Sequence, residues 1–122
     1  MTQTQNSALQ HLAIDQVDSL ISAAGVDGAR AILDAFQRST LDLLLTLNNE
    51  LNAGALTDVC KTAHAVKGSA ANVGAQLLAD AASSIEQACL EGDNHAAIEK
   101  LNLARTNFDA FCAHFDAHLA QL

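Results

Sequence analysis

The sequence predicts an all-α protein, an antiparallel up-and-down four-helix bundle with a short extra N-terminal helix. Leu and Ala dominate the 122 residues, Pro is absent, and the only aromatic residues are four Phe. Such a composition favours helix over sheet. Apolar residues also recur with the 3.6-residue period of a helix over long segments. Short glycine-containing turns separate these segments, so we expect successive helices to run antiparallel.

The first two predicted helices meet at a glycine. A modest helical pattern covers residues 7–24, and Gly25 is placed to end it. Asp27 can then cap a second helix over residues 28–52. We expect the short first helix to pack across one end of the bundle. The predicted core row of the second helix is apolar and consists of Ile32, Phe36, Leu43, Leu47 and Leu51, flanked by Ala29, Leu33 and Leu44.

The third predicted helix begins near Leu56 or Thr57, and Gly74 is placed as its C-terminal cap. Its core row consists of small and medium-sized apolar residues, namely Leu56, Val59, Cys60, Ala63, Val66, Ala70 and Val73. These residues follow the helical period over the whole segment.

Two more predicted helices complete the bundle. The fourth covers residues 76–91, and Gly92 is placed to end it. Asp93 can cap the last helix, which covers residues 94–120. Its apolar residues alternate between four- and three-residue steps, as expected of one buried helix face.

We expect a single domain over residues 8–122, preceded by a polar, flexible N-terminus at residues 1–7. The start of the chain lacks the basic region and apolar run of a signal peptide. The longest apolar stretch, near residues 41–47, is too short to span a bilayer. A net charge of −8 argues against nucleic acid or an anionic membrane surface as a partner.

The three cysteines, Cys60, Cys89 and Cys112, form an odd set without a paired spacing. We interpret them as reduced thiols in the core or at its boundary. Reduced thiols are typical of cytosolic proteins. A cytoplasmic location is therefore expected.

The third predicted helix carries a histidine between two lysines. Lys61 and Lys67 lie three residues before and after His64, and Gly68 follows four residues after it. Residues three and four apart are neighbours on a helix surface, so these groups can share one patch. At about 100° per residue, His64 points roughly 110° away from the centre of the core row, which places it on the flank or surface of the bundle. Gly68 costs about 1 kcal/mol relative to Ala in a helix interior, which suggests a functional site.

The charges around His64 favour phosphoryl chemistry. No acidic residue occurs between Asp58 and Asp80, whereas Lys61 and Lys67 both do. An exposed imidazole is largely neutral at physiological pH, and its neutral nitrogen can attack a phosphoryl group and hold it covalently. The lysines would offset the charge of the attached group. The sequence has no Gly-rich phosphate loop and no convincing carboxylate cluster for Mg²⁺, so the phosphoryl donor and its catalytic groups would come from another protein.

Small residues flank the histidine on the helical wheel. Gly68 and Ala71 remove side-chain bulk on the face of His64, which leaves room for another protein to bring a reacting group close. Ser69 points elsewhere, where its hydroxyl can bond to a carbonyl or donate to a partner.

This stretch resembles the signature of histidine-containing phosphotransfer (HPt) domains, His-x-x-Lys-Gly-Ser, which stands here as His64-Ala-Val-Lys67-Gly68-Ser69. Ile85-Glu86 and the turn Gly92-Asp93 also resemble the family pattern. The similarity extends over roughly residues 14–110. Val66 is a small departure, because many members have Leu at that position.

The resemblance implies a four-helix bundle with extra N-terminal structure that shuttles phosphoryl groups between the aspartates of response-regulator receiver domains. His64 would be phosphorylated, Lys67 would steady the phosphoryl group and Gly68 would permit close docking. Glu86, on the next helix, is a candidate for orienting the imidazole, although a surface or structural carboxylate is the commoner role of such a residue. Candidate partner contacts are Lys61, Ser69 and Ala71.

No cofactor of its own is implied, and Mg²⁺ is expected on the partner receiver domain. Partners would be receiver domains and could include a hybrid sensor histidine kinase. The protein would be a phosphoryl carrier and not an enzyme in its own right. We expect a free-standing carrier, although a module of a hybrid kinase would have the same signature.

Two other functions fit parts of the sequence. The fold could serve as a non-transferring docking module that regulates a receiver or a sensor kinase, although the intact His64, Lys67 and Gly68 argue against this. His114 and His118 lie four residues apart, which is a possible spacing for a metal pair. Asp116 is an obvious third ligand, but its spacing places it on another helix face, and we expect no metal site.

Overall fold

The computed structural model describes residues 11–122, so the predicted flexible segment at residues 1–7 lies outside the described residues. These form four helices, α1 (Ile14–Asn52), α2 (Leu56–Val73), α3 (Gln76–Leu90) and α4 (Asn94–Ala120). Connections of two or three residues join them, and such short turns place consecutive helices antiparallel. In this part of the chain, no helix is long and apolar enough to cross a membrane.

The helices form a closed ring around one core. α2 packs on α3, α3 packs on α4, and α1 contacts both α2 and α4. All four Phe residues lie between α1 and α4 as one cluster. The ring centroids of Phe36 and Phe111 are 5.5 Å apart, and those of Phe111 and Phe115 are 5.6 Å apart, both edge to face. Each such pair contributes about 0.5–1.5 kcal/mol beyond the area it buries.

α1 is interrupted at Gly25, where the predicted first helix was to end. Gly25 has φ 78° and ψ 169°, a conformation that is essentially restricted to glycine. Helical residues lie on both sides of this kink, and together they make up α1, from Ile14 to Asn52. The short extra N-terminal helix is therefore not confirmed as a separate element.

The predicted core row of α1 was wrong at its start. Ile32 is 36% exposed, whereas Leu33 is buried. Ile32 and Leu33 are adjacent and both apolar, so the helical period fits equally well with either one on the buried face. The sequence alone could not choose between them. After Gly25, the residues of α1 that are buried are Ala29, Leu33, Phe36, Thr40, Leu44, Leu47 and Leu51.

The predicted ends of the other helices are close to the observed ones. Gly74 caps α2 in the left-handed conformation, with φ 82°. The Asp93 side chain caps α4 by accepting a hydrogen bond from the backbone N–H of Ala96 at 3.0 Å. α3 ends at Leu90, one residue before the predicted end. In each case a local cap or glycine determines the end of the helix.

The residues before and at the start of α1 lie across the turn between α2 and α3. Ala13 N–H donates to the carbonyl of Gly74 at 2.8 Å. The Gln16 side chain donates to the carbonyl of Ala71 at 2.6 Å, and Val17 is fully buried. Both acceptors lie at the C-terminal end of α2, where carbonyls lack the partner that a further helical turn would supply.

Replacing Gly74 by Ala is expected to destabilise the fold more than replacing Gly92 by Ala. Both glycines have positive φ, 82° and 72°, so either alanine costs about 1–2 kcal/mol of backbone strain. A Cβ on Gly74 would also lie 3.1 Å from Val17 Cγ2 and 3.4 Å from the Ala13 carbonyl oxygen, whereas a Cβ on Gly92 meets nothing within 4 Å. The free energy of unfolding, measured in urea, should fall further for Gly74→Ala. Equal losses would contradict the close packing of the N-terminal residues on this turn.

Candidate functional site

His64 lies on the exposed face of α2. Its side chain is 70% exposed, while the opposite face of the helix is buried through Val59, Ala63, Val66, Ala70 and Val73. The surface position agrees with the angle predicted from the helical period. Burial of the apolar face therefore fixes the direction in which the imidazole points.

Glu86 on α3 contacts the imidazole. Its Oε2 lies 3.2 Å from His64 Nδ1, and its side chain is only 26% exposed. A carboxylate accepts hydrogen bonds, so it favours the neutral tautomer in which Nδ1 carries the proton and donates it. Nε2 makes no hydrogen bond to any residue from 11 to 122. Within these residues, this arrangement leaves the lone pair of Nε2 without a hydrogen-bond donor, on a side chain that is mostly exposed.

The same carboxylate also attracts Lys67. Lys67 Nζ lies 4.0 Å from Glu86 Oε1, and the lysine side chain is 44% exposed. An ion pair with this exposure contributes little to folding, roughly 0–1 kcal/mol. Its effect is positional, because one carboxylate holds the ammonium group and the imidazole on the same side of α2.

The absence of acidic residues between Asp58 and Asp80 in the sequence does not produce an acid-free surface in space. Glu86 comes from the next helix and lies directly beside His64. Lys61 is exposed one turn before the histidine and forms no ion pair within the described residues. The patch therefore combines two lysines with one carboxylate.

Gly68 is exposed, and a Cβ placed on it would meet no atom within 4 Å. No neighbour within the described chain requires glycine here. Ser69 is half-buried, and Ala71 is exposed at the end of the same helix. The structure thus brings Lys61, His64, Lys67 and Gly68 to one side of α2, whereas Ser69 lies at its edge.

Gln16 is a neighbour of this face that the sequence did not indicate. Its side chain reaches the Ala71 carbonyl from 55 residues away. No periodic or local signal predicts such a contact, because it depends on how the N-terminal residues cross the bundle. It places the start of α1 beside the exposed face of α2.

His114 and His118 have separate partners. His118 Nε2 lies 2.9 Å from Asp18 Oδ1, and His114 stacks on His11 with ring centroids 5.4 Å apart. Burial, and secondarily the charge of His114, lowers the pKa of His11. Asp116 instead pairs with Arg30 at 2.7 Å. Residues 11–122 contain no group of three side chains placed to hold a metal ion.

A cavity of about 750 Å³ lies between α1 and α4. Its lining includes Arg30, Arg38 and Asp116 and none of the residues around His64. His64 instead projects from the surface into solvent. A surface of this kind suits contact with another macromolecule better than enclosure of a small ligand.

Comparison with known proteins gives one family. A model of the Hpt domain family matches residues 31–122. Histidine-containing phosphotransfer protein B (HptB) from Pseudomonas aeruginosa PAO1 is similar in structure, with a TM-score of 0.83, 26% identity, and coverage of 92% of this chain and 96% of that chain.

Two plant structures share the fold. The putative histidine-containing phosphotransfer protein from rice has a TM-score of 0.76 and 20% identity, with coverage of 87% of this chain and 78% of that one. The maize histidine-containing phosphotransfer protein ZmHP2 has a TM-score of 0.77 and 23% identity, with coverage of 92% and 83%. No curated protein sequence matches this chain significantly.

Replacing Glu86 by Ala is expected to move the proton of the neutral His64 ring from Nδ1 toward Nε2. The carboxylate contacts Nδ1, and its removal deletes the group that favours that tautomer. Long-range proton–nitrogen NMR spectra in alkaline buffer report the tautomer directly. The ring of His95, whose Nε2 contacts Glu99 at 3.1 Å, is an internal control and should not change. An unaltered tautomer of His64 in Glu86→Ala would contradict the assigned hydrogen bond.

Proposed function

The chain belongs to the Hpt domain family, whose members are phosphotransfer proteins of phosphorelay signalling, and we propose that His64 is its phosphorylated residue. It would accept a phosphoryl group from a receiver-domain aspartate and pass it to another receiver. One observation carries the proposal, namely an exposed imidazole whose Nδ1 contacts Glu86 and whose Nε2 has no hydrogen-bond partner among residues 11–122.

The proposed reaction is a nucleophilic transfer. The lone pair of His64 Nε2 attacks the phosphorus of an aspartyl phosphate on the receiver. A nitrogen–phosphorus bond forms, and the bond between phosphorus and the aspartate oxygen breaks, with the carboxylate taking the electron pair. The proton stays on Nδ1, so the ring gains positive charge next to Glu86. A charge-assisted hydrogen bond to this carboxylate is stronger than a neutral one, which favours the phosphorylated state.

Lys67 is positioned to neutralise the incoming group. Its ammonium lies 4.0 Å from Glu86, on a flexible side chain that can turn toward phosphoryl oxygens. Lys61 adds a second positive charge one turn earlier on α2. We propose that Mg²⁺ and the other catalytic groups belong to the partner receiver, so the chain acts as a carrier rather than as an enzyme.

The surface around His64 supports docking of a receiver domain. Gly68 and Ala71 are exposed and add little bulk beside the imidazole. A partner can therefore bring its aspartyl phosphate close to Nε2, where reacting atoms must approach to about 3–3.5 Å. Ser69 is a candidate contact at the edge of this surface. A hybrid sensor kinase, through its own receiver domain, could be the donor.

A phosphorylated receiver domain should transfer its label to this protein, and His64→Gln should abolish the labelling. The label should be acid-labile and alkali-stable, as expected of a phosphoramidate. Lys67→Ala should slow transfer by about tenfold or more, because a hydrogen bond to a charged group contributes about 1.5–3 kcal/mol. His95→Gln, which changes another highly exposed histidine, should label as the wild type does.

Labelling that survives His64→Gln would overturn the assignment. Receiver binding without any transfer, unchanged in His64→Ala, would instead identify a docking module that has kept the fold without the chemistry. Transfer and binding should both be measured with a set of receiver domains from the source organism.

Gly68→Ala is expected to stabilise the protein while slowing phosphoryl transfer. The new Cβ meets nothing within 4 Å, so the helix gains about 0.5–1 kcal/mol from the better propensity of Ala. The same Cβ, and still more the side chain of Gly68→Leu, obstructs a docked partner. Urea unfolding and transfer rates measure the two effects. Ala117→Leu, at an exposed position of α4, is the control, and transfer by Gly68→Leu at the wild-type rate would disprove the docking role.

A further inference from the structure

A pair of thiols lies one helical turn from His64 and Glu86. Cys60 precedes His64 by four residues on α2, and Cys89 follows Glu86 by three residues on α3. Residues at these spacings share a helix face. Because α2 and α3 run antiparallel and His64 contacts Glu86, the two cysteines face each other across the same interface.

The two thiols are neighbours. Cys60 lies close enough to Cys89 to act on its thiol, and so do the charges of Glu50 and Glu86. Burial, followed by the neighbouring Cys60 thiol, raises the pKa of the Cys89 thiol to about 12. Cys89 is only 6% exposed, whereas Cys60 is half-buried, and both are free. Cys60 is therefore the more accessible thiol of the two, and it is the one that dissolved peroxide meets first.

The interface between these helices is lined by small residues. Ala63 and Ala70 on α2 and Ala82 on α3 have no exposed surface. Small side chains at a helix contact bring the axes closer together. A disulfide requires Cα atoms about 4.4–6.8 Å apart, a separation that closely packed helices can provide.

We propose that Cys60 and Cys89 form a redox modification site, a dithiol that hydrogen peroxide converts into a disulfide linking α2 to α3 beside His64. In the first step the Cys60 thiolate attacks a peroxide oxygen. A sulfur–oxygen bond forms, the oxygen–oxygen bond breaks, and the released hydroxide takes up a proton to become water. Cys60 is then a sulfenic acid.

In the second step Cys89 loses its proton and attacks the sulfur of Cys60. The sulfur–sulfur bond forms, the sulfur–oxygen bond breaks, and a second water leaves. Two electrons pass from the thiol pair to peroxide. The disulfide fixes α3 against α2 one turn from Glu86, and so changes the contact between that carboxylate and the His64 imidazole.

Thiol counting tests the site. Protein treated with peroxide, denatured and alkylated should carry one alkylated cysteine, against three in the reduced protein, and should lose the mass of two hydrogen atoms before alkylation. Dithiothreitol should reverse both changes. Cys112, buried on α4 beside Gln37, is the matched control, so Cys112→Ala should form the same disulfide. Cys60→Ser and Cys89→Ala should not form it.

Three alkylated cysteines after peroxide, a disulfide that includes Cys112, or covalent dimers would overturn the proposal. Cys89→Ala removes a buried side chain, but Cys60→Ser changes a half-buried one, so the test does not depend on the more disruptive variant.

NMR of the His64 ring tests the link to the phosphotransfer site. Oxidation should shift the ring nitrogen resonances in the wild type and leave them unchanged in Cys60→Ser. Unchanged resonances in an oxidised, cross-linked wild type would refute the effect on His64. This effect matters for signalling only if the proposed phosphotransfer is correct. His64→Gln should still form the disulfide, so failure of either proposal is recognised separately.

Discussion

The packing of α2 against α3 is the contact on which the candidate site depends. Each helix buries a face of mostly small apolar side chains, and burial of one CH₂ group contributes about 0.8 kcal/mol. The ion pair between Lys67 and Glu86 is too exposed to compete with that. The core therefore fixes the rotation of both helices. That rotation places His64 in solvent and Glu86 against its Nδ1.

The residues around His64 supply charges of both signs. The chain carries a net charge of −8, so an unscreened phosphohistidine would add to an already unfavourable total. Lys61 and Lys67 supply local positive charge on the face of α2 that bears His64. Glu86, by contrast, matches the positive charge that the ring gains on phosphorylation. The lysines thus balance the negative phosphoryl group of the phosphohistidine, and Glu86 balances its positive ring.

Much of the fold could be predicted from the sequence because the relevant signals are local. Gly74 and Asp93 end or begin helices through their own backbone and side-chain geometry. The surface position of His64 follows from the helical period of α2. The sequence did not determine which residue near the start of α1 faces the core, because Ile32 and Leu33 fit the helical period equally well. The contact of Glu86 with His64 depends on the rotation of two helices about their axes. The contact of Gln16 with the Ala71 carbonyl joins segments that are far apart in the sequence. Helical periodicity predicts neither contact.

The N-terminal residues have a consequence for the local stability of α2. Helix ends normally fray, since their last carbonyls lack partners and open at low cost. Here the carbonyl of Ala71 in the last turn of α2 and that of its cap Gly74 accept hydrogen bonds from Gln16 and Ala13, and the buried Val17 packs beside them. The last turn of α2 can open only together with this segment. His64, two turns earlier, therefore lies on a helix whose C-terminal end is held by the N-terminal residues, and the imidazole keeps its direction while its own surroundings remain open to solvent.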